Sequence, residues 1–177
     1  MQTILAVALF AGMMRQPLQL RHEGRPVRRL ANVSRHSLLP VRFPGVLYAA
    51  HDVLVEELEG EGVRMTDFMA HCRNRDLMER VAVCGVRAFV KMMLWDNFVH
   101  ADLHPGNMMV RVVDGEGSVV TDTGSIDPGR HYAFTLIFLD TGLVTALGRR
   151  DHQNFTLLFK ALVVDGDGEA AGRLIAT

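Results

Sequence analysis

The chain has 177 residues, 49% hydrophobic and 22% charged, a balance that suits one globular domain and excludes disordered, fibrous and low-complexity classes. Lysine and arginine number 19 against 20 acidic side chains, a formal charge of -1, so no basic excess exists to hold a phosphate backbone and nucleic acid is not expected as a partner. The two cysteines, Cys72 and Cys84, lack a CxxC spacing and support neither a disulfide framework nor a zinc site, which points to a reducing compartment.

Residues 4–14 form the longest apolar run and are read as an amphipathic or buried helix halted near Pro17. Eleven residues at about 1.5 Å each cannot cross an apolar layer of about 30 Å, so no transmembrane segment is expected. The run also lacks the basic start and cleavage site of a secretory signal. Residues 20–30 continue helically, weakened by Gly24 and Pro26, and residues 32–45, with Pro40 and Pro44, read as loop. Two short strands, 46–48 and 53–55, are placed to form a hairpin.

Beyond Gly60 and Gly62 a helix is expected with Thr66 as its N-cap. Residues 76–97 predict a long helix with Arg80, Arg87 and Lys91 on one face and an apolar stripe wide enough to be mostly buried. A polar cluster at 100–107 follows, then a strand at 108–113. Residues 114–130 are rich in Gly and carboxylates and are read as an exposed loop or hairpin outside the core. An apolar strand at 133–139 ends at Asp140-Thr141-Gly142. Residues 151–163, with Phe155, Leu158, Phe159 and Leu162 on one face, predict an amphipathic helix broken by Asp165-Gly166-Asp167-Gly168. A last helix, starting near Glu169, has no stop signal before Thr177, and the natural domain is expected to continue.

The chemistry concentrates at His100-Ala101-Asp102-Leu103-His104-Pro105-Gly106-Asn107. An Asp and an Asn five residues apart, in a loop between a helix and a strand, can point at one spot. In phosphoryl transfer such an Asp orients the nucleophile and the Asn offers an oxygen to Mg²⁺. Asp140, at a strand end before a Gly, is the natural further oxygen ligand. Asp122-Thr123-Gly124 repeats the tripeptide and competes with Asp140, which is preferred because a longer apolar strand precedes it.

The octapeptide at 100–107, with Trp95-Asp96-Asn97-Phe98-Val99 before it and Leu139-Asp140-Thr141-Gly142-Leu143-Val144 after it, resembles the UbiB or aarF-domain-containing atypical kinase-like family, nearest the aarF-domain-containing kinase two subgroup. Ala101 and Thr141 stand where protein kinases carry the Arg of H-R-D and the Phe of D-F-G. The resemblance implies an α+β, protein-kinase-like fold, mostly the helical C-lobe, with a remnant of N-lobe helix and strands in residues 1–58 and the C-lobe in 59–177, carrying an insertion at about 114–132.

It further implies ATP and Mg²⁺ as cofactors, Asp102 as catalytic residue, Asn107 and Asp140 as metal ligands, and backbone contacts from Glu57 and Leu58 to adenine. Residues 18–23 resemble the family's helix-C region, where Glu23 matches the Glu that pairs the nucleotide-binding lysine. Pro17 and Gln19 fall where the family has an acidic pair, and the Lys-x-Gly-Gln extension, the nucleotide loop and that lysine are expected upstream of this chain. Coenzyme Q or mitochondrial lipid metabolism, a mitochondrial location and lipid or membrane-associated partners are likewise what the family implies. The competing expectation is a catalytically inactive pseudokinase or binding module.

Three other motifs are read as structural. His100 and His104 lack a third soft ligand nearby. Asp165-x-Asp167-x-Glu169 lacks the Gly and Glu of a calcium loop, having Ala170 and Ala176 there. The two Asp-Thr-Gly tripeptides lie too close together to build an aspartic protease.

Overall fold

A computed structural model describes residues 5–9, 38–49, 53–97, 99–100, 103–139 and 144–175. In chain order the elements are β1 (Leu5–Leu9), β2 (Val41–Arg42), β3 (Val46–Ala49), β4 (Val53–Glu57), β5 (Val63–Arg64), α1 (Met65–His71), α2 (Arg75–Leu94), β6 (Val99–His100), β7 (Met108–Val113), β8 (Val119–Val120), β9 (Ala133–Phe138), β10 (Val144–Thr145), α3 (Arg149–Phe159) and α4 (Gly168–Ile175). The mixture of helix and antiparallel-rich sheet is the α+β class expected.

The first apolar run is corrected by the structure. Leu5–Leu9 is a strand, antiparallel to β4 with Leu5 opposite Glu57 and Leu9 opposite Val53. A short apolar run fits a buried strand as well as a buried helix, and the vacant edge of a hairpin decided between them. That hairpin, β3 against β4, is where the sequence placed it, with a bulge between Val46 and Tyr48. The small sheet runs β1-β4-β3. Residues 10–37, covering the helical reading at 20–30 and Glu23, lie outside the described residues.

The main sheet runs β2-β9-β7-β5, with β8 pairing β7. β7 and β9 are antiparallel over six residues, Met108 opposite Phe138 through Val113 opposite Ala133. β2, inside a stretch read as loop, runs parallel to β9, Val41 opposite Leu136. Helix α2 lays Leu77, Val81, Cys84, Ala88 and Met92 against this sheet, a spacing of three and four that keeps one face inward. Leu77, Val110, Val112, Leu136 and Phe138 are wholly buried. Each such side chain contributes about 1.5–3 kcal/mol of burial. Phe43 stacks on Phe138 with ring centroids 5.2 Å apart, closing the core beside β2.

Three further expectations are revised. Thr66 does not cap α1, which starts at Met65 directly out of β5, with Arg64 at the cap position and no side-chain cap bond. Helix α2 is half-exposed instead of mostly buried, for Val83, Val86 and Phe89 face outward. The 114–132 segment adds to the core after all: Thr123, Ile126 and Tyr132 are buried, and Val119–Val120 pairs with Val112 and Val113. At its tip Asp114 accepts backbone N–H bonds from Ser118 and Glu116, which holds its carboxyl below the usual range. Helix α3 runs through Phe159 and passes into a π-helical stretch, Lys160–Asp165, ended by Gly166 in the left-handed conformation.

Candidate active site at the strand ends

The loop 100–107 begins and ends on paired strands. At its start, β6 pairs antiparallel with β10, His100 opposite Val144. At its end, the Leu139 N–H donates to the Asn107 carbonyl at 2.8 Å, continuing the β7–β9 register by one step. The described residues that flank 101–102 and 140–143 thus lie on adjoining strands. Asp102 and Asp140, the predicted catalytic and metal-binding carboxylates, belong to these segments and lie outside the described residues.

Asn107 closes a single 3₁₀ turn, Pro105–Asn107, its N–H donating to the His104 carbonyl at 2.9 Å, and it is half-buried. His104 caps the turn, its Nδ1 accepting from the Gly106 N–H at 3.0 Å. A Cβ on residue 106 would lie 2.7 Å from the His104 ring, so a side chain there would push the exposed ring out of its capping position. The ring nitrogen of His104 is therefore engaged in a local hydrogen bond, as its structural reading expected. Among the described residues no three His, Cys, Asp or Glu side chains group to hold a metal.

Asp122 occupies another place. It caps the 3₁₀ turn Thr123–Ser125, its Oδ1 accepting from the Gly124 N–H at 2.9 Å, and it is exposed. It follows β8, which pairs with Val112 and Val113 at the end of β7 remote from Asn107. The edge of β7 that leads to Leu139 is the opposite one, occupied by β9.

Two side chains that sequence reasoning did not single out bolt this region together. Asn97 has a positive φ of 47° just after α2, a conformation that asparagine tolerates. Its Nδ2 donates to the Leu147 carbonyl at 2.8 Å and its Oδ1 accepts from the Leu147 N–H at 3.1 Å. The chain before β6 is thereby tied to the chain after β10. Asn74, 1% exposed, caps α2 through Leu77 N–H, while its Nδ2 donates at 2.8 Å to the carbonyls of both Asp127 and Arg130. An Asn just ahead of an apolar helical run was the available signal for the second.

At the end of β4, where the sequence reading placed the hinge, the Glu57 N–H is engaged, donating to the Gly45 carbonyl at 2.8 Å, and Leu58 is exposed beyond the strand. The Glu57 carboxylate accepts from the Gly45 N–H at 3.1 Å and from Arg42 Nη2 at 2.9 Å. Glu59 is buried and pairs with both Arg42 and Arg111. The acidic turn after α3 is locally satisfied, Asp165 pairing with Lys160 and Glu169 with Arg173, which suits a helix break.

A small antiparallel sheet followed by helices packed on a second sheet, an α+β arrangement, is that of the protein-kinase-like class. Two solved structures have this fold: the Mycobacterium tuberculosis protein Rv3197, in a complex with erythromycin, with TM-score 0.50 and 17% identity over 89% of this chain and 34% of that one, and the Rio2 kinase of Chaetomium thermophilum, in an ADP/Mg²⁺-phosphoaspartate complex, with TM-score 0.50 and 14% identity over 93% of this chain and 43% of that one.

Residues 2–174 match the ABC1 atypical kinase-like domain, and the chain belongs to that family. It is 30% identical over 194 residues to a mitochondrial ABC1 family protein of Schizosaccharomyces pombe, covering 96% of this chain. It is 32% identical over 185 residues to the probable serine/threonine-protein kinase abkC of Dictyostelium discoideum, covering 76% of this chain. A probable protein kinase UbiB of Providencia stuartii is 28% identical over 144 residues. The chain spans 28%, 26% and 23% of the lengths of these three relatives.

Proposed function

We propose that the chain carries the phosphate-handling part of an ATP- and Mg²⁺-dependent atypical kinase or ATPase, with Asp102 as catalytic carboxylate and Asn107 and Asp140 as Mg²⁺ ligands. Residues 1–58 are assigned to the N-lobe and hinge and 59–177 to the C-lobe. The observation that carries this reading is the strand register: Leu139 bonds to Asn107 and Val144 pairs with His100, so the Asp102 and Asp140 segments start and finish side by side. An amide oxygen and a carboxylate are the hard donors Mg²⁺ prefers. When bound, Mg²⁺ would neutralise phosphate charge; the chain's own residues would set the direction of attack through Asp102 and fix the ligand loop through His104, Gly106 and Asn97.

The place of β8, on the edge of β7 opposite to β9, supports preferring Asp140 to Asp122 as ligand. Adenine contacts are assigned to the chain at Glu57 and Leu58, with Leu58 favoured because the Glu57 N–H is already bonded. Glu23 is assigned to a helix-C pairing role. A mitochondrial location is supported by the names of relatives in two yeasts, and a role in coenzyme Q or lipid metabolism, with lipid or membrane-associated partners, by family resemblance.

A second reading is an inactive pseudokinase or binding module. Lys91 and Lys160 are ion-paired to Asp96 and Asp165, so the lysine that a kinase site places on its phosphates would come from outside these 177 residues, and the second reading holds where none is supplied. Calorimetric titration of Mg-ATP into the wild type, Asp140→Asn and Asp122→Asn tests both readings. The expected result is Mg²⁺-dependent binding in the wild type, lost in Asp140→Asn and kept in Asp122→Asn. Loss in Asp122→Asn alone overturns the metal assignment, and a folded wild type that binds no Mg-nucleotide replaces the enzyme by the binding module.

A further inference from the structure

We infer that Glu59 is a positioning residue, a buried carboxylate that fixes the hinge against the two strands leading to the metal ligands; the inference rests on the nucleotide-binding reading above. The Glu59 side chain is 3% exposed and lies two residues beyond the end of β4. Removing a carboxylate from water costs several kcal/mol unless it is well paired. Here it is paired twice: Arg42 Nε donates to one carboxylate oxygen and Arg111 Nη2 to the other, the latter at 2.9 Å.

The two arginines come from different strands, and each also holds a second point of the hinge. Arg42 Nη2 donates to Glu57 Oε2 at 2.9 Å, and Arg111 Nε donates to the Glu61 carbonyl at 3.0 Å. The hinge residues 57, 59 and 61 are thereby anchored one after another. Gly45 completes the arrangement, because a Cβ there would lie 2.9 Å from the Glu57 carboxyl carbon. The planar guanidinium fork makes such contacts directional, which a greasy contact would not be.

The far ends of the clamp are what relate it to the site. Arg111 sits on β7, four residues from Asn107. Arg42 sits on β2, opposite Ile137 of β9, three residues before Asp140. One carboxylate therefore sets the distance between the segment assigned to adenine and both strands assigned to the phosphate-bound metal. Displacements of about 1 Å in such a span are enough to lower productive binding by an order of magnitude or more.

The test compares binding of Mg-ATP with binding of Mg-tripolyphosphate, which lacks adenosine, in the wild type, Glu59→Gln and the core variant Leu77→Ala. Glu59→Gln keeps the shape and removes the charge. We expect it to lower the ratio of ATP to tripolyphosphate affinity about 10-fold, while Leu77→Ala, though less stable, keeps the wild-type ratio. An unchanged ratio in Glu59→Gln, or an equal fall in Leu77→Ala, overturns the positioning role and leaves Glu59 a purely structural residue. Should Glu59→Gln not fold, Arg111→Gln, which removes one of the two partners, is read by the same ratio. A wild type that binds neither compound is a different failure, that of the nucleotide-binding reading, and the inference falls with it.

Discussion

Asn74 shows how much a single polar side chain can organise. It is almost completely buried, yet all its hydrogen-bonding capacity except one acceptor position is used: a helix N-terminus on one side and two loop carbonyls on the other. The two loop carbonyls lie more than 50 residues away in the chain, so it pins the 114–132 segment to α2. Asn74→Ala removes the cap and leaves two carbonyls unsatisfied, and is expected to destabilise the fold by about 2–4 kcal/mol in denaturant unfolding. A conservative Asn74→Asp keeps the cap but loses both donors and is expected to fall between. Gly106 and His104 are a smaller case of the same kind, in which the ring caps the turn in the space left by the absent side chain at 106.

At the scale of elements, β9 is the member on which the others converge. It pairs with β7 on one edge and β2 on the other, and α2 packs on its face. Its last residue, Phe138, is wholly buried, stacks on Phe43 and immediately precedes the Leu139 N–H that bonds to Asn107. Phe138→Ala is expected to cost about 3–5 kcal/mol. It should also weaken Mg-nucleotide binding measured well below the melting point, since the cavity lies under the strand end. A milder core variant at the remote end of β7, Val112→Ala, should leave binding alone when both are measured fully folded; equal effects on binding would show that strand-end packing does not serve the site.

At the scale of the whole molecule, the two free cysteines report on the integrity of the core. Cys72 and Cys84 are both buried, 7% and 5% exposed. Burial pushes the Cys84 thiol above its ordinary value, with Arg87 opposing weakly. The thiol form is thus favoured by folding: this stabilisation is complete below the unfolded pKa and is lost as pH rises through the folded one. Native protein at pH 7–8 is expected to resist thiol reagents at both positions and to react fully after unfolding, with stability declining on the alkaline side and less so in Cys84→Ala. Rapid labelling of the native state would contradict this packing. The exposed outer face of α2, Val83, Val86 and Phe89, belongs to a chain that covers less than a third of its relatives' length.

The chain's order of residues was enough to identify the family and to place α2, β7, β9, α3 and α4 to within a few residues, but not the two-residue strands β6, β8 and β10. Those features are local, depending on periodicity and on the contiguous motif 100–107. The candidate set Asp102, Asn107 and Asp140 is likewise read from spacing along the chain. What tertiary structure alone decided was pairing. Leu5–Leu9 became a strand because β4 offered a free edge. That β8, before Asp122, and β9, before Asp140, lie on opposite edges of β7 was likewise settled only by pairing. Glu59 looked like one more surface carboxylate until Arg42 and Arg111, distant in sequence, closed over it. Local periodicity encodes which face of an element is apolar, but a buried charge is tolerable only where partners from other strands arrive, and that is a property of the folded arrangement.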